Sequence, residues 1–222
     1  VYIADYPILG TIAQINAFAL GAQMTNPRAK VYLEWSTLKE QDIEKRIDEI
    51  DPNCISGKDI IVPDDNNHFY GVYHRESGGG EQKNLAMPLC HWGKFYEELI
   101  RTIMAGNWEQ DNDVEKAINY WWGMPTGVVD VICSKKLPAG TVRLVNVLKH
   151  NYKTGQFHTF TDQMYAQGHI LKEKKGETLS PEEVIEMDWL AENIIGRIPK
   201  IEELQEQAKP VLTQQGIETR KG

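Results

Sequence analysis

Residues 2–36 read YIADYPILGTIAQINAFALGAQMTNPRAKVYLEWS, and this stretch decides the fold. Residues 1–5 form an apolar run of strand length. Residues 9–24 then place Ile12, Ile15, Ala19 and Ala22 at helical spacing. Asn26-Pro27 closes the helix, because proline cannot continue it. Lys30–Trp35 puts Val31, Leu33 and Trp35 on one face of a second strand. A strand, a helix and a strand of these lengths make a βαβ unit, which crosses over to a parallel neighbour.

The pattern continues outward. Thr37 is the expected cap of a charged helix with a stripe of Leu38, Ile43, Ile47 and Ile50. A short β-branched strand, 59–62, follows, then strands at 69–73 and at 85–90, the latter broken by Pro88. Trp92, Phe95, Tyr96, Leu99, Ile100 and Ile103 predict a helix, with Phe95 and Tyr96 as core. A polar stretch, 107–117, leads into a short helix. A strand over 127–132 and a helix carrying Val142, Val145 and Leu148 complete the run. The predicted class is α/β, a parallel sheet flanked by helices, with a mostly helical C-terminal extension.

Composition changes near residue 160. We therefore expect an α/β ligand-binding lobe over 1–163 and an extension of linker plus helices over 164–222. Residues 165–180 are Lys-rich and fit a hairpin or a linker. Ser180-Pro181-Glu182-Glu183 is a helix start, and that helix is expected to reach about Ile195 with Trp189 in the core. Residues 200–208 predict one more polar helix.

The chain has 222 residues, 41% hydrophobic and 25% charged, the balance of a globular protein. A net charge of −8 argues against a nucleic-acid partner. Cys54, Cys90 and Cys133 are odd in number and lack CxxC spacing, so they read as buried thiols. No apolar run reaches the roughly 18 residues of a membrane span. The chain opens on a strand already under way, which predicts that it was cut from a longer one.

In parallel α/β sheets, ligands bind beyond the carboxyl ends of the strands. That rule selects Asp5, Tyr6, Trp35, Asp64, Asp65 and the loop after Tyr73, which contains Glu76. Six tryptophans and nine tyrosines are many for this length. Tyr6, Trp35, Tyr73, Trp92, Trp121 and Trp122 stand beside strand ends, where an aromatic face can stack on a planar ligand and nearby polar groups can read its edge. The competing chemistries are weaker. Asp64, Asp65, His68, His74, Glu76 and His91 match no metal motif. There is no GxSxG, and Cys90-His91 are adjacent only in sequence. Gly78-Gly79-Gly80 lacks the GK[ST] of a phosphate loop. No catalytic residue, metal or cofactor is expected.

Several blocks resemble one family. The 2–36 stretch is similar to the start of the second lobe in solute-binding lipoproteins of the basic membrane protein family. MPLCHWGKFYEELIRTIMAGNW (87–108), YWWGMPTGVVDVI (120–132) and GQFHTFT (155–161) match further family segments in order. The resemblance covers residues 1 to about 163. It implies a periplasmic-binding-protein type I fold, in which two lobes close on a nucleoside or purine base and pass it to an ABC importer. It implies Tyr6 as the stacking aromatic, Trp92 as a second wall, and Asp64 and Asp65 facing the cleft. Where the family has a Gly-x-Asp-x-Asp block, this chain reads Tyr73-His74-Arg75-Glu76-Ser77, so Glu76 stands for the ring- or sugar-reading acid. The implied partners are a missing N-terminal lobe and an ABC permease. The implied location is the outer face of a membrane, by a lipid anchor. The alternatives are a cytoplasmic sensor, a ligand-free regulatory module, or an α/β enzyme acting on nucleosides.

Overall fold

The computed structural model describes residues 1–57, 71–78, 82–105 and 123–217. Two compact units emerge, one of residues 1–84 with 158–222 and one of residues 85–157. The expected strand at 59–62, the expected short helix after 107, and Asp64, Asp65 and Trp122 lie outside the described residues.

In the first unit the expected β-α-β-α order holds, and it is followed by a strand at 54–57, ahead of the stretch 59–62 where one was expected. β1 (Tyr2–Ala4), α1 (Thr11–Thr25), β2 (Val31–Trp35), α2 (Ile43–Ile50) and β3 (Cys54–Gly57) follow in order. β1 runs parallel to β2 on one side, with Ala4 opposite Trp35, and parallel to β3 on the other. β4 (Gly71–His74) pairs antiparallel with β3, His74 opposite Cys54. The tail re-enters this unit and adds β9 (Ile194–Ile195), parallel to β2 at the far edge. The unit is thus a mostly parallel sheet flanked by helices, and the change of composition near residue 160 coincides with the return of the chain to it.

Several elements differ from expectation. Thr37 does not cap α2. The cap is Asp42, whose carboxylate accepts from the Lys45 N–H at 3.0 Å. The residues of the predicted 165–180 hairpin or linker form a hairpin of β7 (Thr161–Ala166) and β8 (Ile170–Thr178). The helix predicted from Ser180 to Ile195 is only α5 (Pro181–Ile185), with a complete Ser180/Glu183 capping box. It stops because tertiary bonds claim the next backbone groups. The Asn16 side chain, fully buried in α1, donates to the Trp189 carbonyl at 2.7 Å and accepts from the Ala191 N–H at 2.9 Å. Residues 200–208 form two single 3-10 turns, Ile201–Glu203 and Glu206–Ala208, leading into α6 (Lys209–Gln215).

The main core joins Ile12, Ile15 and Ala19 of α1 with Val31, Leu33 and Trp35 of β2 and with Met187, Leu190 and Ile194 of the tail. A smaller cluster of Leu204, Ala208 and Leu212 packs against Tyr6, Ile8 and Leu38.

The second unit contains β5 (Lys83–Cys90, entered from the first unit), α3 (Trp92–Met104), β6 (Val129–Cys133) and α4 (Ala139–Lys153). β5 and β6 are antiparallel, and Pro88 is accommodated inside the strand opposite Val131. Val142, Val145 and Leu148 are the half-buried stripe of α4, as their spacing predicts. Tyr96, expected in the core, is exposed. The cysteines are not buried either: Cys54 and Cys90 are exposed and Cys133 is half-buried, because they stand at strand ends rather than strand centres.

Candidate functional site

The carboxyl ends of β1 and β2 place two loops side by side. The Ser36 N–H donates to the Ala4 carbonyl at 2.8 Å, extending the parallel ladder by one step. Asp5 is 4% exposed, and its carboxylate accepts from the Ser36 hydroxyl at 2.8 Å. The Thr37 hydroxyl donates to the Asp5 carbonyl. These bonds lock the two loops together. The chain then turns tightly, with the Ile8 N–H donating to the Tyr6 carbonyl at 2.8 Å. Gly10, at φ +82°, swings it into α1.

This turn walls a cavity of about 270 Å³ bounded by Asp5, Tyr6, Ile8, Thr11 and Gln14, with Tyr2, Ile3 and Ala4 behind them. Tyr2 packs edge-on against Phe18 at 5.2 Å, and burial pushes its phenol above the ordinary range, so it stays neutral. The cavity offers an aromatic ring, aliphatic surface, a hydroxyl and an amide. A planar solute could lie on Tyr6 while Thr11 and Gln14 read its edge. Thr11 and Gln14 were not singled out from sequence. Their signal is a polar pair three residues apart in the first turn of a mostly apolar helix.

The remaining sequence candidates fall elsewhere. Trp35 is 2% exposed in the main core, and its indole N–H donates to the Arg197 carbonyl at 2.8 Å. It borders a separate cavity of about 260 Å³ with Glu34 and Arg46, which pair at 3.2 Å. Glu76 lies beyond β4. Because β4 is antiparallel, its end lies at the start of β3, the edge of the sheet opposite Asp5 and Tyr6. There Lys83 bonds the Glu76 carboxylate at 2.7 Å and holds it below its ordinary range. Trp92 belongs to the second unit, 61% exposed, with its ring edge-on to Phe95 at 5.9 Å. The structure therefore brings Asp5 and Tyr6 together on one cavity, sets Trp35 in the main core beside another, and places Glu76 away from both.

A cavity of about 420 Å³ lies beside the β7–β8 hairpin, where the Lys172 ammonium stands 5.8 Å from the Trp189 ring centre. Among the described residues, no group of three or more His, Cys, Asp or Glu could hold a metal ion, and no helix is long and apolar enough to cross a membrane.

No family model matches the chain. A purine-binding protein of Brucella abortus (strain 2308) is 24% identical over 210 residues, which are 90% of this chain and 58% of that protein. A putative ABC transporter glucose-binding protein of Haloferax volcanii is 30% identical over 139 residues, 57% of this chain and 34% of that protein. The chain spans less than two thirds of either relative, and both are named for binding rather than for catalysis. At the level of distant homology, the chain is similar to solute-binding proteins, one of them named for an ABC transporter.

Proposed function

We propose that this chain is a non-enzymatic solute-binding module that takes a nucleoside or purine base at the ends of β1 and β2. Tyr6 stacks on the ring, and Asp5, held by Ser36, borders the same cavity. One observation supports this reading above the others: the Tyr6 cavity lies at the strand-end edge where α/β sheets take ligands, in a chain similar over 90% of its length to a purine-binding protein. On this reading the module serves an ABC-type importer or a related sensor. A second lobe completes the cleft, and the protein works on the outer face of a membrane, anchored by lipid. Asp64 and Asp65 are proposed as further ligand contacts.

The name of the Haloferax relative motivates a second probe, glucose, since a sugar ring also lies well on an aromatic face. The test is a thermal-shift screen of the protein in its complete natural form against adenine, guanine, adenosine, guanosine and glucose. A ligand at a hundredfold excess over its Kd stabilises by about 2.7 kcal/mol. Stabilisation by a purine or nucleoside is expected. Stabilisation by glucose alone would replace the purine reading with a sugar reading, and no shift with any of the five would reject solute binding of this kind.

A further inference from the structure

The segment from Ile201 to Ile217 docks across the edge of the first unit where its parallel strands end. Four backbone hydrogen bonds hold it there. The Leu9 N–H donates to the Gln215 carbonyl at 3.0 Å, and the Ile217 N–H to the Pro7 carbonyl at 3.2 Å. The Lys39 N–H donates to the Glu203 carbonyl at 3.0 Å, and the Gln205 N–H to the Thr37 carbonyl at 2.9 Å. The Gln205 side chain adds a bond to the Leu38 carbonyl at 3.3 Å, and the Lys39 ammonium one to the Glu202 carbonyl at 2.9 Å. The partners all sit in the loops after β1 and β2, so the segment takes up backbone groups that a ligand at this edge would use.

Its apolar face is equally committed. Leu204 and Leu212 are fully buried, and Ala208 nearly so, against Tyr6, Ile8 and Leu38. Tyr6 thus stands between this segment and the open cavity. That cavity, about 270 Å³, falls just below the roughly 300–1,000 Å³ usual for small-molecule sites. Tyr6 and Ile8 belong to both surfaces: they line the cavity and pack against the segment.

We infer that Ile201–Ile217 is a built-in cover that competes with ligand for the strand-end edge. The inference rests on the reading of that edge as the ligand site. The cover is held mainly by the satellite cluster and meets the main core at Ile217 and at the shared Leu38, so it can open while the sheet stays folded. Ligand affinity is then reduced by the fraction of molecules in which the cover is open, and loosening the cover raises affinity.

The test uses the complete natural protein, with adenosine, adenine and glucose as probes. Calorimetric titration compares wild type with Leu212→Ala and Leu204→Ala, both in the satellite cluster. Kd at least tenfold lower in both variants is expected, and binding seen only in the variants supports the cover equally. A wild type that binds, with variants that stay folded and bind no tighter, overturns the cover alone. No binding by any form overturns the ligand reading and the competition together. Amide hydrogen exchange without ligand gives an independent arm. The Gln205, Ile217, Leu9 and Lys39 amides are expected to exchange as one group, at least tenfold faster than those of β2. Exchange at the slow rate of the sheet overturns the cover whatever the titrations show.

Discussion

At the scale of single residues, Asn16 shows why a polar side chain belongs in this core. It is fully buried, and it bonds the Trp189 carbonyl, the Ala191 N–H and, at 2.9 Å, the Met187 sulfur. Asn16→Ala leaves a buried N–H and a buried carbonyl unpaired, so a loss of about 2–3 kcal/mol is expected in urea denaturation. A loss under about 0.5 kcal/mol would mean that water replaces the amide. Gly196 is constrained differently. A Cβ there would lie 2.9 Å from the Leu33 Cβ and 3.0 Å from the Leu33 carbonyl oxygen, at φ +148°. Gly196→Ala is expected to cost about 1–3 kcal/mol by overpacking and backbone strain, read from the same denaturation curve. Of the site residues, Tyr6 and Asp5 were legible from sequence because both directly follow a strand that periodicity defines. Trp35 follows the same rule, yet its inward side chain places it in the core. A strand-end rule locates a residue along the chain but does not say which face it takes.

At the scale of elements, β1 and β2 were legible because apolar strand runs alternate with a helical period over a long stretch, whereas β3, at Cys54–Gly57, was not singled out. The direction of β4 was not legible, since an apolar run of four residues pairs equally well either way. That one reversal carries Glu76 to the far edge of the sheet. The short α5 is the second lesson. Its start was readable from Ser180 and Glu183, whereas its end is set by Asn16, more than 160 residues earlier in the chain. Ser180→Ala removes the side-chain acceptor of the capping box and is expected to cost about 1 kcal/mol. The cover has its own clamp. Arg197 and a backbone bond from Lys200 hold the Glu203 carboxyl at about 2, against an ordinary 4.5. A depressed carboxylate contributes stability above its unfolded value and loses it as pH falls through the folded one. The clamp is therefore expected to persist below pH 4.5 and to fail only near pH 2. Carboxyl-carbon NMR should show the Glu203 midpoint there, and a midpoint near 4.5 would mean that the clamp does not form in solution.

At the scale of the molecule, the parallel α/β class was legible because several βα steps agree. The role of the tail was not. Its polar composition suggests an exposed extension, but a few apolar side chains, Leu204, Ala208 and Leu212 among them, dock it on the strand ends. Their spacing of four marks an apolar stripe, but the surface it packs on lies far away in sequence and leaves no trace in that spacing. The central claim is that a planar solute stacks on Tyr6, and calorimetric titration of adenosine into the complete natural protein and its Tyr6→Ala variant tests it most directly. The predicted result is measurable binding by the wild type, weakened in the variant by about 1–3 kcal/mol, or roughly 5- to 150-fold in Kd. An unchanged Kd in a folded Tyr6→Ala protein would contradict it.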